Sequence, residues 1–152
     1  MPSATDLSTA LEDLLSWARR LAPPGDLSLA STTLLARLAR DGGSGVSALA
    51  TAEGVSQPAM SQMVARLERD GLVTRTADPQ DGRAAVVVLT DTGRELVSAR
   101  RAARAAALAD LLDTAPPGDA EQLLAATPAL TRLAQAALAQ SALARRGALT
   151  PA

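Results

Sequence analysis

The stretch from Val46 to Thr90 constrains the fold of this chain more than any other part of its sequence. It contains a short helical segment, a tight Gly54-Val55 turn, a second helical segment, and two runs rich in β-branched residues around Asp78–Arg83. That order of elements is typical of a winged helix-turn-helix, in which one helix fits the DNA major groove and a hairpin reaches a neighbouring groove. The sequence therefore predicts a mainly α fold with a small β-hairpin wing.

Local signals predict where the helices of this unit begin and end. Ser28 is expected to cap a helix that ends at Asp41-Gly42-Gly43. Ser56 is expected to cap the helix after the Gly54-Val55 turn, which is the fourth along the chain. Pro58 falls in the first turn of that fourth helix, where a missing N–H costs little. The buried stripe of the fourth helix is predicted to consist of Met60, Met63, Val64 and Leu67. The other side of this helix is then left polar.

Amphipathic helices are also predicted on both sides of this unit. Leucines at spacings of three and four predict a first helix that stops before Pro23-Pro24-Gly25. Thr90 or Asp91 is expected to cap a long fifth helix, and a sixth helix should run from about Asp119 to Gln140. Pro128 lies inside the sixth helix, so a kink or break is predicted near Thr127.

The residue types that are missing restrict the chemistry open to this chain. It has no Cys, His, Lys, Tyr or Phe, and all 15 basic side chains are Arg. Cysteine redox sensing, Cys/His metal binding, Ser-His-Asp hydrolysis and Schiff-base catalysis each need a side chain that is absent. The 16 acidic residues are scattered. We therefore expect no enzymatic activity, no metal and no cofactor.

Hydropathy and charge give two further expectations. The sequence has neither an apolar run of about 18 residues nor a signal-like N-terminus, which predicts a cytoplasmic protein that does not enter a membrane. The formal net charge is −1, and the four arginines within residues 57–83 are balanced by four carboxylates. Because DNA phosphates attract positive charge, DNA binding would depend on where charges are placed rather than on an excess of them.

Six sequence segments, in order along the chain, closely resemble the MarR family of bacterial transcriptional regulators. The most specific is the wing signature, an Asp-x-Arg segment followed by a strand and Leu-Thr-x-x-Gly. The segments are Ser47–Ala50, Val55–Ser61, Arg66–Glu68, Gly71–Val73, Asp78–Arg83 and Leu89–Gly93. This resemblance implies a homodimer, with residues 1–25 and 91–140 as the helical dimerisation region. Residues 28–90 would form the winged helix-turn-helix, and 141–152 a flexible tail.

The resemblance also implies a function. Proteins of this family commonly repress neighbouring genes and release DNA when a small, often aromatic, anionic ligand binds. Two recognition helices about 34 Å apart would match successive major-groove faces of a pseudo-palindromic operator on double-stranded DNA. A winged-helix module that binds protein and never touches DNA is the main alternative, and the balanced charge of the recognition unit favours it.

Nine residues are candidate DNA contacts. Arg83 is expected to enter a narrow minor groove from the wing, oriented by Asp81, although a solvated turn is the alternative. Gln57, Ser61 and Arg66 suit base edges or phosphates, but an ordinary polar helix face would look the same. The remaining candidates are Ser47, Pro58, Gln62 and Arg75. Gln62 occupies a position where members of the family often carry a basic residue.

Two residues are candidate ligand contacts. Trp17 is the only aromatic side chain and lies on the first helix, where it is available to stack on an aromatic effector or to fill a core or interface. Arg37 is available to pair with an anionic ligand, and a solvated arginine is the alternative.

Overall fold

The computed structural model describes residues 1–21, 27–78, 80–82 and 84–148, with backbone only for 141–148. Within these residues the chain forms six helices and a two-stranded antiparallel sheet, which confirms the predicted mainly α fold with a wing. The elements are α1 (Ala4–Arg20), α2 (Leu29–Asp41), α3 (Val46–Glu53), α4 (Gln57–Arg69), β1 (Val73–Ala77), β2 (Ala85–Leu89), α5 (Asp91–Asp113) and α6 (Asp119–Ala148). The predicted stop at Pro23-Pro24-Gly25, the wing residues Pro79 and Arg83, and residues 149–152 lie outside this description.

Hydroxyl side chains cap four of the helices, three of them as predicted and the fourth, α1, through Ser3. Ser28 Oγ accepts a hydrogen bond from the Ser31 amide at 3.1 Å, and Ser56 Oγ caps α4 at 3.3 Å. Thr90, rather than Asp91, caps α5, because its Oγ1 accepts from the Gly93 amide at 3.0 Å. Gly54 takes up a left-handed conformation with φ of 69°, which supplies the turn between α3 and α4.

One hydrophobic core fills the winged unit. Each of α2, α3, α4, the sheet and α5 contributes apolar side chains to it. The members are Leu34, Leu35, Leu38, Leu49, Ala50, Met60, Val64, Leu67, Leu72, Val73, Val87, Leu89 and Val97. Met63, predicted as part of the buried stripe of α4, is only partly buried at the edge of this core. The core thus anchors α4 along one side.

A short segment before α3 extends the sheet. Ser44 forms an isolated bridge with Val87 of β2, through N–O distances of 3.1 and 2.9 Å. A Cβ on Gly43 would lie 2.6 Å from Val88 Cγ1, so a larger residue at this position would have to displace the Val88 side chain. This bridge was not predicted, because two glycines and a serine are typical of a loop.

The sixth helix differs from its prediction in two respects. It continues unbroken past Pro128 and extends to Ala148, beyond the predicted end at Gln140. Proline removes one helical hydrogen bond, but residues 121–140 are exposed, so water can satisfy the freed carbonyl. The predicted break is therefore wrong, while a kink near Thr127 stays a prediction, and the sequence signal underestimated the length of the helix.

The terminal helices leave much apolar surface uncovered in the single chain. No residue of α1 is buried. Leu15 is 57% exposed on α1 and Leu124 is 61% exposed on α6, and further leucines on α1, α5 and α6 are similar. Across the described residues, none of the helices is long and apolar enough to cross a membrane.

Candidate nucleic-acid interface

Helix α4 has one buried side and one exposed polar side. Met60, Val64 and Leu67 are completely buried, with no solvent-exposed area. The predicted contact residues Gln57, Pro58, Gln62 and Arg66 are exposed, and Ser61 is half-buried at the boundary. Since the buried stripe fixes the helix, the polar side chains project from a rigid support. This geometry suits a helix that enters a DNA groove.

The turn that follows α3 holds the amino-terminal end of α4 in place. The Val55 amide donates to the Ala50 carbonyl at 3.1 Å, and Leu49 is buried beside it. Ser56 then caps α4, whose first turn carries partial positive charge from its unpaired amides. Ser47 is exposed in the first turn of α3. Both helix starts thus offer donors of the kind that bind phosphate oxygens.

Ion pairs within residues 28–90 neutralise part of the charge of the winged unit. Three carboxylates are engaged by arginines: Glu53 by Arg37, Asp41 by Arg40 and Arg37, and Glu68 by Arg75. The hydrogen bond from Arg40 is the main cause that lowers the pKa of Asp41, and it keeps this carboxyl ionised.

Two arginines of α4 stand apart from this pairing. Arg66 and Arg69 are exposed and form no ion pair with any residue that the structure describes. Both guanidinium groups of α4 are therefore available to contact a phosphate. Arg69 was not among the predicted contacts. Because a helix turns by about 100° per residue, the sequence nevertheless placed Arg69 on the side of α4 opposite the buried stripe. Phosphate contact by both groups would raise the salt dependence of DNA binding.

Arg75 lies on β1 and is close to the end of α4. Its Nε is 3.8 Å from Glu68 Oε2, and both side chains are more than 40% exposed. An exposed pair at this distance contributes little stability. Arg75 can therefore exchange Glu68 for a phosphate oxygen at small cost.

The described part of the wing is a hairpin with a hydrogen-bonded loop. The Asp78 amide donates to the Ala84 carbonyl at 2.8 Å, and the Ala84 amide donates to the Asp81 carbonyl at 2.9 Å. Asp81 is exposed, as expected for a residue near the tip. Arg83 lies outside the described residues, so its minor-groove contact stays a prediction.

The two candidate ligand contacts occupy different surroundings. Arg37 donates from Nε to Glu53 on α3, and the side chains of this pair are only 22% and 16% exposed, so Arg37 joins α2 to α3. Trp17 is half-buried on α1. Neither lines the cavity of about 470 Å³ between α1, α2 and α5, here called the α1–α2–α5 cleft. Its lining is Leu15, Ala18, Arg19, Leu27, Leu29, Thr32, Arg100 and Arg104.

The two-sided α4 and the adjoining hairpin define a winged helix-turn-helix protein. A protein-family model described as the MarR family matches residues 27–85. The chain is 39% identical over 111 residues to an uncharacterized HTH-type transcriptional regulator of Mycobacterium bovis, Mb0904, covering 73% of this chain and 78% of the relative. A Mycobacterium leprae regulator, ML2140, is 38% identical over the same shares. The chain belongs to the MarR family of transcriptional regulators.

Solved structures share its fold. RV1404 from Mycobacterium tuberculosis superimposes with a TM-score of 0.73 at 23% identity, over 87% of this chain and 94% of that one. YusO from Bacillus subtilis superimposes with a TM-score of 0.62 at 28% identity, over 89% and 99%. Since at least 87% of this chain is covered, the likeness extends beyond the winged unit into the helices that flank it.

Proposed function

We propose that the protein is a homodimeric repressor that binds a pseudo-palindromic operator and leaves it when a small anionic ligand binds. The observation that carries this proposal is α4, a helix buried along one side and lined on the other by amides, a hydroxyl and unpaired guanidinium groups. Such a protein would act in the cytoplasm, where its DNA is.

Dimer formation is supported by the apolar side chains of the terminal helices. Exposed leucines on α1, α5 and α6 are too numerous for water-facing helices of a small monomer. They recur at helical spacings, as in Leu7, Leu11, Leu14 and Leu15 of α1. In the proposed dimer, two copies related by a twofold axis would pack these surfaces together, so that each copy covers the exposed leucines of the other.

In the proposed complex, contacts divide by chemistry. Gln57, Ser61 and Gln62 would read base edges in the major groove, where amides pair well with adenine. Phosphate contacts would come from Arg66 and Arg75, and from the exposed start of α3 at Ser47. The wing would place Arg83 in the minor groove with Asp81 as its partner.

Ligand sensing is supported by the α1–α2–α5 cleft. Three arginines, Arg19, Arg100 and Arg104, border an apolar lining that includes Leu15 and Leu29. A ring with a carboxylate matches this arrangement, because guanidinium groups bind carboxylates while leucines cover the ring. In this proposal Trp17 would report on the ligand from the adjoining part of α1, while Arg37 would act only if Glu53 released it.

Equilibrium titration against the DNA upstream of its own gene, at two salt concentrations, tests the proposal. We expect tighter binding than to random DNA of equal length, and a fall in affinity as salt rises. Affinity that neither falls with salt nor exceeds that for random DNA would instead favour a winged-helix module that binds protein. The balance of positive and negative charges within residues 57–83 is the observation that favours the protein-binding module.

A further inference from the structure

The first turn of α5 is fastened directly to the turn that ends α4. Thr90 Oγ1 donates to the Gly71 carbonyl at 2.7 Å, and the Thr90 amide donates to the Leu72 carbonyl at 3.1 Å. The same hydroxyl accepts from the Gly93 amide at 3.0 Å, so it caps α5 and holds α4 at once. We call these contacts the α4–α5 joint.

The α4 side of the joint is itself rigid. The Gly71 amide donates to the Glu68 carbonyl at 3.0 Å, and the Leu72 amide donates to the Leu67 carbonyl at 2.9 Å. These bonds close the last turn of α4, and Leu72 is buried just after it. A displacement of Thr90 is therefore transmitted to the end of α4 without an intervening flexible segment.

The α5 side of the joint continues into the helical surface that the proposed dimer buries. Helix α5 is unbroken from Asp91 to Asp113, and Leu108 and Leu111 near its far end are exposed. A single helix thus runs from the recognition helix to the dimerisation region. The angle at which it leaves the joint determines where α4 lies relative to the partner copy.

We propose that Thr90 is a positioning residue that sets the spacing between the two recognition helices of the dimer. This inference rests on the proposed function, because it requires a dimer on two half-sites. One added base pair shifts a half-site by about 3.4 Å and rotates it around the helix, so a rigid joint makes affinity depend steeply on spacing. Without the Thr90 hydroxyl, the affinity of the dimer for DNA depends less steeply on the spacing of the half-sites.

The test measures affinity for upstream DNA in which the distance between half-sites is lengthened or shortened by one and two base pairs. Wild-type protein is compared with Thr90→Val and with Thr90→Asp, which keeps a capping oxygen for α5 but has no proton to donate to Gly71. Thr92→Val is the matched control, since Thr92 is an exposed threonine two residues further along the chain. Thermal unfolding and dimer mass are recorded for each variant.

We expect wild type and Thr92→Val to lose about tenfold in affinity or more for each base pair of displacement, comparable to one mismatched base pair. For Thr90→Val and Thr90→Asp, the logarithm of the loss in affinity per base pair should be at most about a third of the wild-type value. Thr90→Ser, which restores the hydroxyl, should return the steep profile.

Two results would count against separate parts of the account. If Thr90→Asp remains folded and has the wild-type spacing profile, or if Thr90→Val weakens every spacing equally, the positioning role is overturned and Thr90 only stabilises the fold. If wild type itself shows no dependence on spacing, the proposed two-site binding fails, and this inference fails with it.

Discussion

Gly93 lies so close to Leu72 that a Cβ on residue 93 would be 2.1 Å from the Leu72 carbonyl oxygen. That oxygen also accepts a hydrogen bond from the Thr90 amide at 3.1 Å. The first turn of α5, in which only Gly93 is buried, can therefore approach the end of α4 only because residue 93 has no side chain. This contact gives a physical reason for the Leu-Thr-x-x-Gly pattern, in which the threonine supplies the hydrogen bonds and the glycine supplies the space.

Gly93→Ala should destabilise the fold. The new methyl group meets a backbone carbonyl that cannot move without breaking the Thr90 bond, and such overpacking costs about 1–3 kcal/mol or more. Urea unfolding followed by circular dichroism measures the change. Gly82→Ala is the control, because a Cβ there would meet open space. Equal stability of the two variants would contradict the packing argument.

Arg66→Ala and Arg69→Ala should weaken DNA binding and reduce its salt dependence. Each guanidinium that contacts a phosphate adds about 0.9 to the slope of log affinity against log salt. The slope is measured by fluorescence anisotropy over a range of salt concentrations. Arg101→Ala removes the same charge from α5 and should leave the slope unchanged. A slope equal to wild type in both α4 variants would exclude these two arginines as phosphate contacts.

Arg83→Ala should weaken DNA binding while the dimer stays intact. A wing guanidinium in a narrow minor groove gains from the concentrated negative potential there, so its loss should cost about 1–3 kcal/mol, by analogy with other specific contacts. Binding is measured by titration and dimer mass by sedimentation, with Gln80→Ala as the wing control. Unchanged affinity for Arg83→Ala would remove the wing from the mechanism.

Phenolic acids should bind in the α1–α2–α5 cleft and release DNA. Trp17 fluorescence follows binding, because this tryptophan is half-buried on the helix that contributes Leu15 and Arg19 to the cleft. Arg104→Ala should abolish both the fluorescence change and DNA release by removing a carboxylate partner. Arg132→Ala is the matched control on α6. A wild-type protein that responds to none of these acids would contradict the aromatic-anion proposal.

Most of the fold follows from signals that are local in sequence. Ser28 and Ser56 cap helices within three residues of themselves, and the stripe around Met60 repeats at helical spacing, so neighbouring residues suffice to predict them. The wing was predictable for the same reason. The order of elements indicated a DNA-binding fold, and family resemblance supplied the dimer and the repressor role.

Contacts between distant residues were not predictable in this way. The bridge from Ser44 to Val87 and the ion pair from Arg37 to Glu53 join elements that the sequence does not mark as neighbours. The pairing of Arg75 with Glu68 depends on the angle between β1 and α4, and so could not be derived from charge order alone. These pairs decide which arginines of the winged unit stay unpaired, and charge order along the sequence does not show which they are.

The affinity of Gln62→Glu for the upstream DNA shows whether the exposed side of α4 reads DNA. This change keeps the size of an exposed side chain but places a negative charge where phosphates and base acceptors would face it. Gln122→Glu makes the same change in the first turn of α6. We predict a loss of about 100-fold or more for Gln62→Glu, since facing like charges cost several kcal/mol, and wild-type affinity for Gln122→Glu. Wild-type affinity in both variants would contradict the account.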